Sequence, residues 1–288
     1  MKLLILGASG MLGNNLFQFF LSNSKFETFA LVRNKSSLSK VHASKKVIEI
    51  SDIKNTKEFS SVLKKISPKV VINCIGAIKQ KNNFNNSSEI IHINSLLPHL
   101  LEDACKKVGA RMIHFSTDCV YSGKIGNYAE KNEPDADDLY GLSKRLGEVL
   151  SETSLTLRTS IIGHELNSNL SLLDWFLSQE SKVKGYKKAI FSGLTTIEIG
   201  KVLEKIILPN QHLSGLFHLS VNPISKYDLL NLVAKEYKKN IKIIEDSEIK
   251  IDRSLDSSKF ITYTGYNPPS WTELIKELHD FYNEKFKK

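Results

Sequence analysis

Apolar runs and amphipathic stretches alternate along the first half of the chain. Runs of the kind expected for strands buried on both faces of a sheet cover Leu3–Leu6, Thr28–Val32, Val47–Ile50, Val70–Cys74 and Arg111–Phe115. Segments with helical spacing of apolar positions lie between them, at Leu12–Leu21, Thr56–Ile66 and Ile90–Val108. A helix at Tyr140–Ser151 and a strand at Ser154–Ser160 continue the series. This alternation predicts an α/β fold with a doubly wound parallel sheet and right-handed crossovers.

A glycine-rich turn, GASGMLG, follows the first predicted strand. In that context Gly7 permits a tight turn, Gly10 lets the backbone approach a pyrophosphate, and Gly13 lets the next helix pack against the sheet. The helix N-terminus would face the phosphates with unpaired N–H groups. The motif predicts a Rossmann-type dinucleotide site, although glycines after a buried strand are also ordinary turn residues.

The pattern becomes less regular after Gly163, where one amphipathic stretch, Leu172–Leu177, stands out. A helix at Ile197–Ile207 and a strand at Leu216–Ser220 are predicted to return to the sheet. Three further segments are assigned to a smaller C-terminal lobe: Ser225–Lys239, Ile241–Ile244 and Trp271–Phe286. We therefore predict a dinucleotide-binding Rossmann domain at 1–162, with 189–220 returning to it, and a substrate-binding lobe made of 163–188 and 221–288. The polar segment Lys79–Ser88 predicts a mobile loop after the fourth strand.

Two further motifs contain candidate catalytic residues: STDCVY at the end of a predicted strand, and YGLSK at the start of a predicted helix. Tyr140 and Lys144 are four residues apart and share one helix face, so the ammonium can favour the phenolate and fit the tyrosine for proton transfer to an alkoxide. A solvent-exposed tyrosine and lysine pair is the alternative. Thr117 would hydrogen-bond the reacting carbonyl oxygen, although Ser-Thr-Asp after a strand is also a good helix cap, with Asp118 accepting N–H bonds.

Cofactor preference depends on the residue that ends the second strand, where an acidic side chain would bind the ribose 2′-OH of NAD. This chain has Arg33 there, which favours the 2′-phosphate of NADP, unless Arg33 is an ordinary surface cation. We predict NADPH, with NADH as the alternative. Asp52 is a candidate partner for the adenine amino group, or else the cap of a helical turn.

Charge and cysteine content narrow the class of protein. The 288 residues carry a formal net charge of +9, mostly from scattered lysines without interleaved aromatic residues, so we expect neither nucleic-acid nor membrane binding. The three cysteines have no metal-ligand spacing, so no metal site is predicted and reduced thiols in the cytoplasm are expected. The N-terminal apolar stretch is too short for a signal or a membrane span.

Taken as a set, six segments resemble the extended short-chain dehydrogenase/reductases, and most closely the dTDP-4-dehydrorhamnose reductase branch: LILGASGMLG, VVINCIG, INSLLPHLLEDAC, HFSTDCVYSG, NYAEKNEPDADDLYGLSKRLGE and LTLRTSIIG. The resemblance implies Thr117, Tyr140 and Lys144 as the catalytic trio, with Lys144 also holding the nicotinamide ribose. It implies phosphate contacts at Ser9, Gly10, Met11 and Leu12, and places Cys74, Ile75, Gly76 and Ala77 beside the adenosine. Substrate contacts are assigned to Thr117, Asp118, Trp175 and Arg253, the last as a pyrophosphate clamp, with an Arg253–Asp256 surface pair as the alternative.

Departures from the family pattern bear on the reaction and the substrate. Ile161 replaces a tryptophan common in this branch, and Gly193–Thr196 lacks a frequent proline, so the sugar and the base stay open. Cys119 follows Asp118 where the 4,6-dehydratases have glutamate, which disfavours elimination of water.

The resemblance therefore predicts an NADPH-dependent reductase of a 4-keto-6-deoxy sugar nucleotide, in the synthesis of cell-surface polysaccharide precursors. The expected partner is the nucleotide-sugar substrate, and a homodimer is compatible with this prediction. The alternatives are a sugar-nucleotide epimerase that retains NAD, and a non-catalytic regulatory subunit that binds a dinucleotide.

Overall fold

The computed structural model describes residues 1–38, 45–77 and 86–286. Most of the predicted loop, Lys79–Asn85, lies outside the described residues. The chain divides into two compact units. The first unit contains residues 1–116, 138–157 and 210–216, and the second contains 117–137, 158–209 and 217–288.

The strands of the described residues follow the predicted series in the first half of the chain. In chain order they are β1 (Lys2–Leu6), β2 (Glu27–Val32), β3 (Val47–Glu49), β4 (Val70–Asn73), β5 (Arg111–Phe115), β6 (Ser154–Arg158), β7 (Ile161–Ile162), β8 (Lys182–Tyr186), β9 (Ala189–Phe191), β10 (Leu194–Thr195), β11 (Gly215–His218), β12 (Ile224–Ser225), β13 (Lys242–Asp246) and β14 (Ile251–Asp252).

The helices of the described residues are α1 (Met11–Leu21), α2 (Thr56–Ile66), α3 (Ser87–Ile91), α4 (Leu97–Lys107), α5 (Leu139–Leu146), α6 (Leu172–Ser178), α7 (Thr196–Val202), α8 (Lys226–Glu236), α9 (Ser258–Thr264) and α10 (Trp271–Phe286). Two π-helical turns, His92–Leu96 and Leu203–Ile207, continue α3 into α4 and extend α7. None of these helices is both long and apolar enough to cross a membrane.

A seven-stranded sheet, in the order β3-β2-β1-β4-β5-β6-β11, is formed by the described residues. Strand β1 pairs in parallel with β2 on one side and with β4 on the other, and the pairings of β2 with β3, β4 with β5 and β5 with β6 are parallel as well. The strand order reverses between β1 and β4, which is the switch point where ligands bind in doubly wound sheets. The predicted α/β fold is confirmed.

Helices α2 and α4 cover one face of this sheet. Asn55 caps α2 by accepting the N–H of Glu58, and the apolar residues Phe59, Leu63 and Ile66 then recur at helical spacing. They are buried in one core cluster with residues of α4, such as Leu101. The sequence predicted the bounds of α2 correctly because its cap and its apolar stripe agree.

The predicted helix Ile90–Val108 is observed, but it begins at Ser87 and contains a π-helical turn at His92–Leu96. Pro98 explains the turn, because proline has no N–H to donate to the carbonyl of Asn94, four residues earlier. That carbonyl instead packs against Gly147, where an added Cβ would overlap it. The predicted extension of helix α5 to Ser151 is wrong, since the helix ends at this close approach.

The second unit contains short strands that the sequence pattern did not reveal. Strand β8 pairs in parallel with β13, and β9 pairs with β12 and β14. In β8 only Val183 and Gly185 are buried, and two of the other three residues are lysines, so no apolar run marked it. The predicted helix Trp271–Phe286 is observed with the same bounds.

Replacing Gly147 by alanine should lower the free energy of unfolding by about 1–3 kcal/mol, because the methyl group would overlap the Asn94 carbonyl. Urea unfolding followed by circular dichroism measures the change. Gly76→Ala is the matched control, since the nearest atom to its added Cβ, Asn94 Oδ1, would be at an ordinary 3.7 Å. Equal stability of the two variants would contradict the packing described.

Candidate active site

The glycine turn between β1 and α1 brings main-chain atoms of its own residues close together. Gly7 has φ of 73°, a conformation that side chains disfavour, and its carbonyl accepts the N–H of Gly10 at 2.9 Å. A Cβ on Gly13 would overlap that same Gly7 carbonyl. The turn therefore requires glycine at both positions, as the motif predicted.

Helix α1 begins with unsatisfied N–H groups. Its cap, Gly10, offers no side-chain acceptor, and the first turn contains no acidic residue. The N–H of Asn14, bonded to the carbonyl of Gly10, is the first to have its helical partner, so those of Met11, Leu12 and Gly13 have none within the helix. This arrangement suits an anion such as the diphosphate of a dinucleotide.

The segment Cys74–Ala77, predicted to lie beside the adenosine, follows β4 directly. Leu6 of β1 is paired with Asn73 of β4, so Gly7 and Cys74 are neighbours at the switch point. A Cβ on Gly7 would come within 3.1 Å of the Cys74 carbonyl. Together these contacts form a cradle of backbone from the glycine turn and Cys74–Ala77, at the carboxyl ends of β1 and β4.

Asn94, which lies in the π-helical turn, holds the end of this segment. Its Oδ1 accepts the N–H of Ala77 at 2.8 Å, and its Nδ2 donates to the carbonyl of Ala77 at 3.0 Å and to the Ser143 hydroxyl at 3.1 Å. Asn94 thus joins the loop Cys74–Ala77, which we call the cofactor-side loop, to helix α5. Asn94 is absent from the predicted site, although an asparagine four positions before a proline in an apolar helix is an unusual signal.

Arg33 and Asp52 follow β2 and β3, respectively. Arg33 is exposed, and within the described part of the chain it makes no ion pair. The carboxylate of Asp52 accepts the N–H of Lys54 at 3.0 Å and closes a turn, whereas Asn55 caps the helix that follows. The adenine contact proposed for Asp52 stays a prediction.

Tyr140 and Lys144 lie one turn apart on α5, whose cap, Asp138, accepts the N–H of Gly141. Tyr140 is half-buried, but Lys144 is only 5% exposed, which excludes a fully solvated surface pair. The Lys144 ammonium donates to the carbonyl of Phe115, at the end of β5, at 2.7 Å. Burial lowers the pKa of Lys144 to about 8, while the nearby Glu148 carboxylate opposes that shift.

A buried polar pair lies in the strands beside Lys144. His114 is fully buried and its Nδ1 contacts Asn73 Nδ2 at 3.0 Å, so this ring nitrogen is the acceptor. Burial and the Lys144 ammonium hold the pKa of His114 well below its ordinary value. His114 is therefore neutral, and it adds no second cation to the site.

Thr117 belongs to the second unit and caps the short helical turn Asp118–Val120. Its hydroxyl accepts the N–H of Cys119 and donates to the Asp118 carboxylate, each at 3.1 Å. Burial raises the pKa of Asp118, although the Thr117 bond and the Arg253 guanidinium oppose this shift. The Ser-Thr-Asp segment thus caps a helical turn, with Thr117 as the acceptor where Asp118 was expected, and the catalytic role of Thr117 stays a prediction.

Arg253 is half-buried and bound to the segment that follows Thr117. Its Nε donates to the Tyr121 carbonyl at 2.8 Å, and one terminal nitrogen lies 3.7 Å from Cys119 Sγ. The alternative surface pair with Asp256 is not formed, because the Asp256 carboxylate accepts hydrogen bonds from Ser258 instead.

Buried side chains outside the predicted site hold the same segment in place. Tyr121 stacks on Tyr128 with ring centroids 4.1 Å apart, and its hydroxyl lies 2.7 Å from the Arg158 guanidinium. His218 accepts from Arg158 at 3.4 Å, and burial together with that cation lowers its pKa to about 3. A neutral His218 can therefore accept this hydrogen bond throughout the neutral range.

Trp175, the last predicted substrate contact, lies on α6 with 38% of its surface exposed. The preceding residue, Asp174, contacts His164 Nδ1 at 2.6 Å, and His164 Nε2 contacts the Tyr237 hydroxyl at 2.9 Å. His164 is 5% exposed and also stacks on Tyr282. The buried histidine anchors the helix that presents Trp175, a connection with no sequence motif to reveal it.

A separate group of titratable side chains lies between the end of α8 and the middle of α10 in the second unit. Atoms of Glu236, His279 and Asp280 that could bind a metal lie within 4.8 Å of one another. His279 already contacts Asn283 at 3.0 Å and Glu236 at 3.6 Å. These contacts account for the cluster as a helix-to-helix link.

The strand order and the glycine turn before α1 place the chain in the Rossmann class of α/β proteins. The family model described as RmlD substrate binding domain matches residues 1–283, and the chain belongs to this family. The resemblance predicted from the sequence is confirmed.

Individual relatives agree with this assignment. The dTDP-4-dehydrorhamnose reductase of Aggregatibacter actinomycetemcomitans is 26% identical, with 97% of this chain and 99% of that protein covered. The spore coat polysaccharide biosynthesis protein SpsK of Bacillus subtilis (strain 168) is 25% identical, with 96% of each chain covered. A solved dTDP-4-dehydrorhamnose reductase from Bacillus anthracis str. Ames in complex with NADP has a similar fold, with a TM-score of 0.79 at 19% identity over 97% of this chain and 98% of that one.

Replacing Arg33 by alanine should weaken NADPH binding about 10–100-fold and leave NADH binding within about twofold, because the guanidinium is expected to bind only the 2′-phosphate. Fluorescence titration of each reduced cofactor measures both affinities. Lys57→Ala, at an exposed lysine of α2, is the control for a general loss of positive charge. An equal loss of affinity for the two cofactors would contradict the assignment.

Proposed function

We propose that this chain is an NADPH-dependent reductase of a 4-keto-6-deoxy sugar nucleotide, similar to dTDP-4-dehydrorhamnose reductase, in the synthesis of cell-surface polysaccharide precursors. The observation that carries the proposal is the buried Lys144, bonded to the end of β5 one helical turn from Tyr140, in a member of this family. The names of the full-length relatives support an oxidoreductase of this type, and SpsK supports a role in polysaccharide synthesis.

The first unit has the features that a dinucleotide needs. The uncapped N-terminus of α1 and the close-packed backbone of the glycine turn fit a diphosphate, and the exposed Arg33 fits a 2′-phosphate. NADPH bound there would supply the hydride for reduction of the ketone. The cradle Cys74–Ala77 would then line the adenosine, with Asp52 as the partner of the adenine amino group.

Tyr140 is the proton donor of this proposal. As the ketone oxygen gains negative charge, the phenol gives its proton to that oxygen. The Lys144 ammonium stabilises the phenolate that remains, and it also orients the nicotinamide ribose. Because Lys144 is nearly inaccessible to water, its charge acts with little screening.

The second unit would hold the substrate. Thr117 donates its hydroxyl to the ketone oxygen, which requires rotation away from the Asp118 carboxylate that it contacts in this structure. Arg253 would bind the diphosphate of the sugar nucleotide, and the exposed Trp175 would contact its sugar or base. Asp118 and Arg253, which are both expected near the substrate, would be held by one segment, because Arg253 donates to the carbonyl of Tyr121, at the end of the turn that Asp118 begins.

Two rival hypotheses differ from this one in their cofactor behaviour. An epimerase would retain NAD and consume no added NADPH, and the cation at the end of β2 weighs against it. A regulatory subunit would bind the dinucleotide without turnover.

The cytoplasmic location and the homodimer remain part of the proposal.

Tyr140→Phe should lower kcat about 10²–10⁴-fold, because the proton donor is lost, while the dissociation constant for NADPH stays within about threefold. The assay follows loss of NADPH absorbance with a panel of 4-keto-6-deoxy sugar nucleotides. Tyr263→Phe, at an exposed tyrosine of α9, is the matched control and should turn over normally. Wild-type turnover by Tyr140→Phe, with cofactor binding intact, would refute the role of Tyr140.

A further inference from the structure

Two opposite charges enter the protein interior from helix α5 and the turn after it, and both reach the end of strand β5. The Lys144 ammonium donates to the carbonyl of Phe115 at 2.7 Å. The Glu148 carboxylate accepts the hydroxyl of Ser116, the next residue along the chain, also at 2.7 Å. Lys144 is 5% exposed and Glu148 is 9% exposed. The two side chains therefore meet consecutive residues in a region from which water is excluded.

Backbone contacts fix the position of Glu148 just after helix α5. Its N–H donates to the carbonyl of Arg145 at 3.1 Å, and the preceding Gly147 packs directly against the π-helical turn of the neighbouring helix. Its partner Ser116 is held in turn, because the Ser116 N–H donates to the carbonyl of Leu157 at 2.8 Å. This carboxylate is thus held in place at the end of the strand.

A buried ammonium requires a nearby anion, because its transfer out of water is costly. The titratable groups beside Lys144 are Cys74 after β4, His114 on β5, and Tyr140 and Glu148 from the α5 segment. Burial raises the pKa of the Cys74 thiol, which is neutral, and His114 is neutral as well. Among these four groups only Glu148 is a carboxylate.

We propose that Glu148 is a positioning residue for the reduction: its carboxylate, anchored by Ser116, is the counter-charge that keeps the buried Lys144 ammonium charged beside Tyr140. The proposal rests on the proposed function for its catalytic meaning. In this proposal Glu148 acts on the reaction through Lys144. The sign follows from electrostatics, since removing a neighbouring anion makes an ammonium lose its proton at lower pH.

The most direct test is an NMR titration of the protein labelled with ¹³C at the lysine ε-carbons. The Lys144 signal is assigned by its absence in Lys144→Arg, and in the wild type it should titrate near pH 8. In Glu148→Gln the midpoint should fall by about one unit. In Glu148→Asp the midpoint should fall by less than in Glu148→Gln, because a carboxylate is retained. In Ser116→Ala it should also fall, and again by less than in Glu148→Gln.

Glu152→Gln is the matched control, because Glu152 lies four residues further on and is exposed. Its Lys144 midpoint should equal that of the wild type. A folded Glu148→Gln protein with an unchanged midpoint would overturn the proposal. If Glu148→Gln does not fold, an unchanged midpoint in both Glu148→Asp and Ser116→Ala would overturn it equally.

Kinetics supply an independent measurement. A one-unit shift predicts that kcat of Glu148→Gln falls about eightfold at pH 8.5 and less than about 1.5-fold at pH 6.5. A merely structural role would lower kcat equally at both pH values, and that result would contradict the proposal. Failure of the wild-type protein to oxidise NADPH would refute the proposed function alone, because the NMR titration still decides whether Glu148 and Lys144 are coupled.

Discussion

The bond from the Lys144 ammonium to the carbonyl of Phe115 is the interaction on which the first unit's chemistry depends. A lysine buried to this extent has a pKa of about 8 instead of 10.5. Between those two pH values the unfolded chain binds more protons at this group than the folded chain, so folding becomes more favourable as pH rises through that window. At neutral pH the buried charge therefore lowers the stability of the fold. Groups with strongly shifted pKa values of this kind are typical of functional sites.

The backbone around this lysine is shaped by close approaches between main-chain atoms. Pro98 leaves the Asn94 carbonyl without its helical donor, and that carbonyl packs on Gly147 at the end of α5. The side chain of Asn94 meanwhile holds both backbone groups of Ala77. One irregular helical turn thereby contacts both the cofactor-side loop and the helix that carries Tyr140.

The elements that could be predicted from the sequence are those with a strong and specific local signal. The glycine turn was predictable because Gly13 stands where no Cβ fits. Helix α2 was predictable because its cap and apolar stripe coincide. The order of strands and helices followed from alternation alone, since parallel strands buried on both faces require continuous apolar runs.

Other features could not be predicted because they arise from contacts between distant segments. Strand β8 has too few apolar residues to be recognised without its partner β13. Asn94 and Glu148 carry no motif, and their roles appear only when the π-helical turn and the end of β5 are placed beside α5. His164 depends on Tyr237, 73 residues away in the chain. The chemistry of a site is thus easier to predict from sequence than the residues that support it.

Transfer of deuterium from the cofactor to the sugar is the direct test of the proposed hydride transfer. The protein is incubated with NADPH deuterated at nicotinamide carbon 4 on the transferred face and with a dTDP-linked 4-keto-6-deoxyhexose, and the product is examined by mass spectrometry and proton NMR. If the proposal is correct, the product contains one deuterium per NADPH consumed, bound to carbon 4 of the sugar. A product without deuterium, or unchanged NADPH after conversion of the sugar, would contradict it.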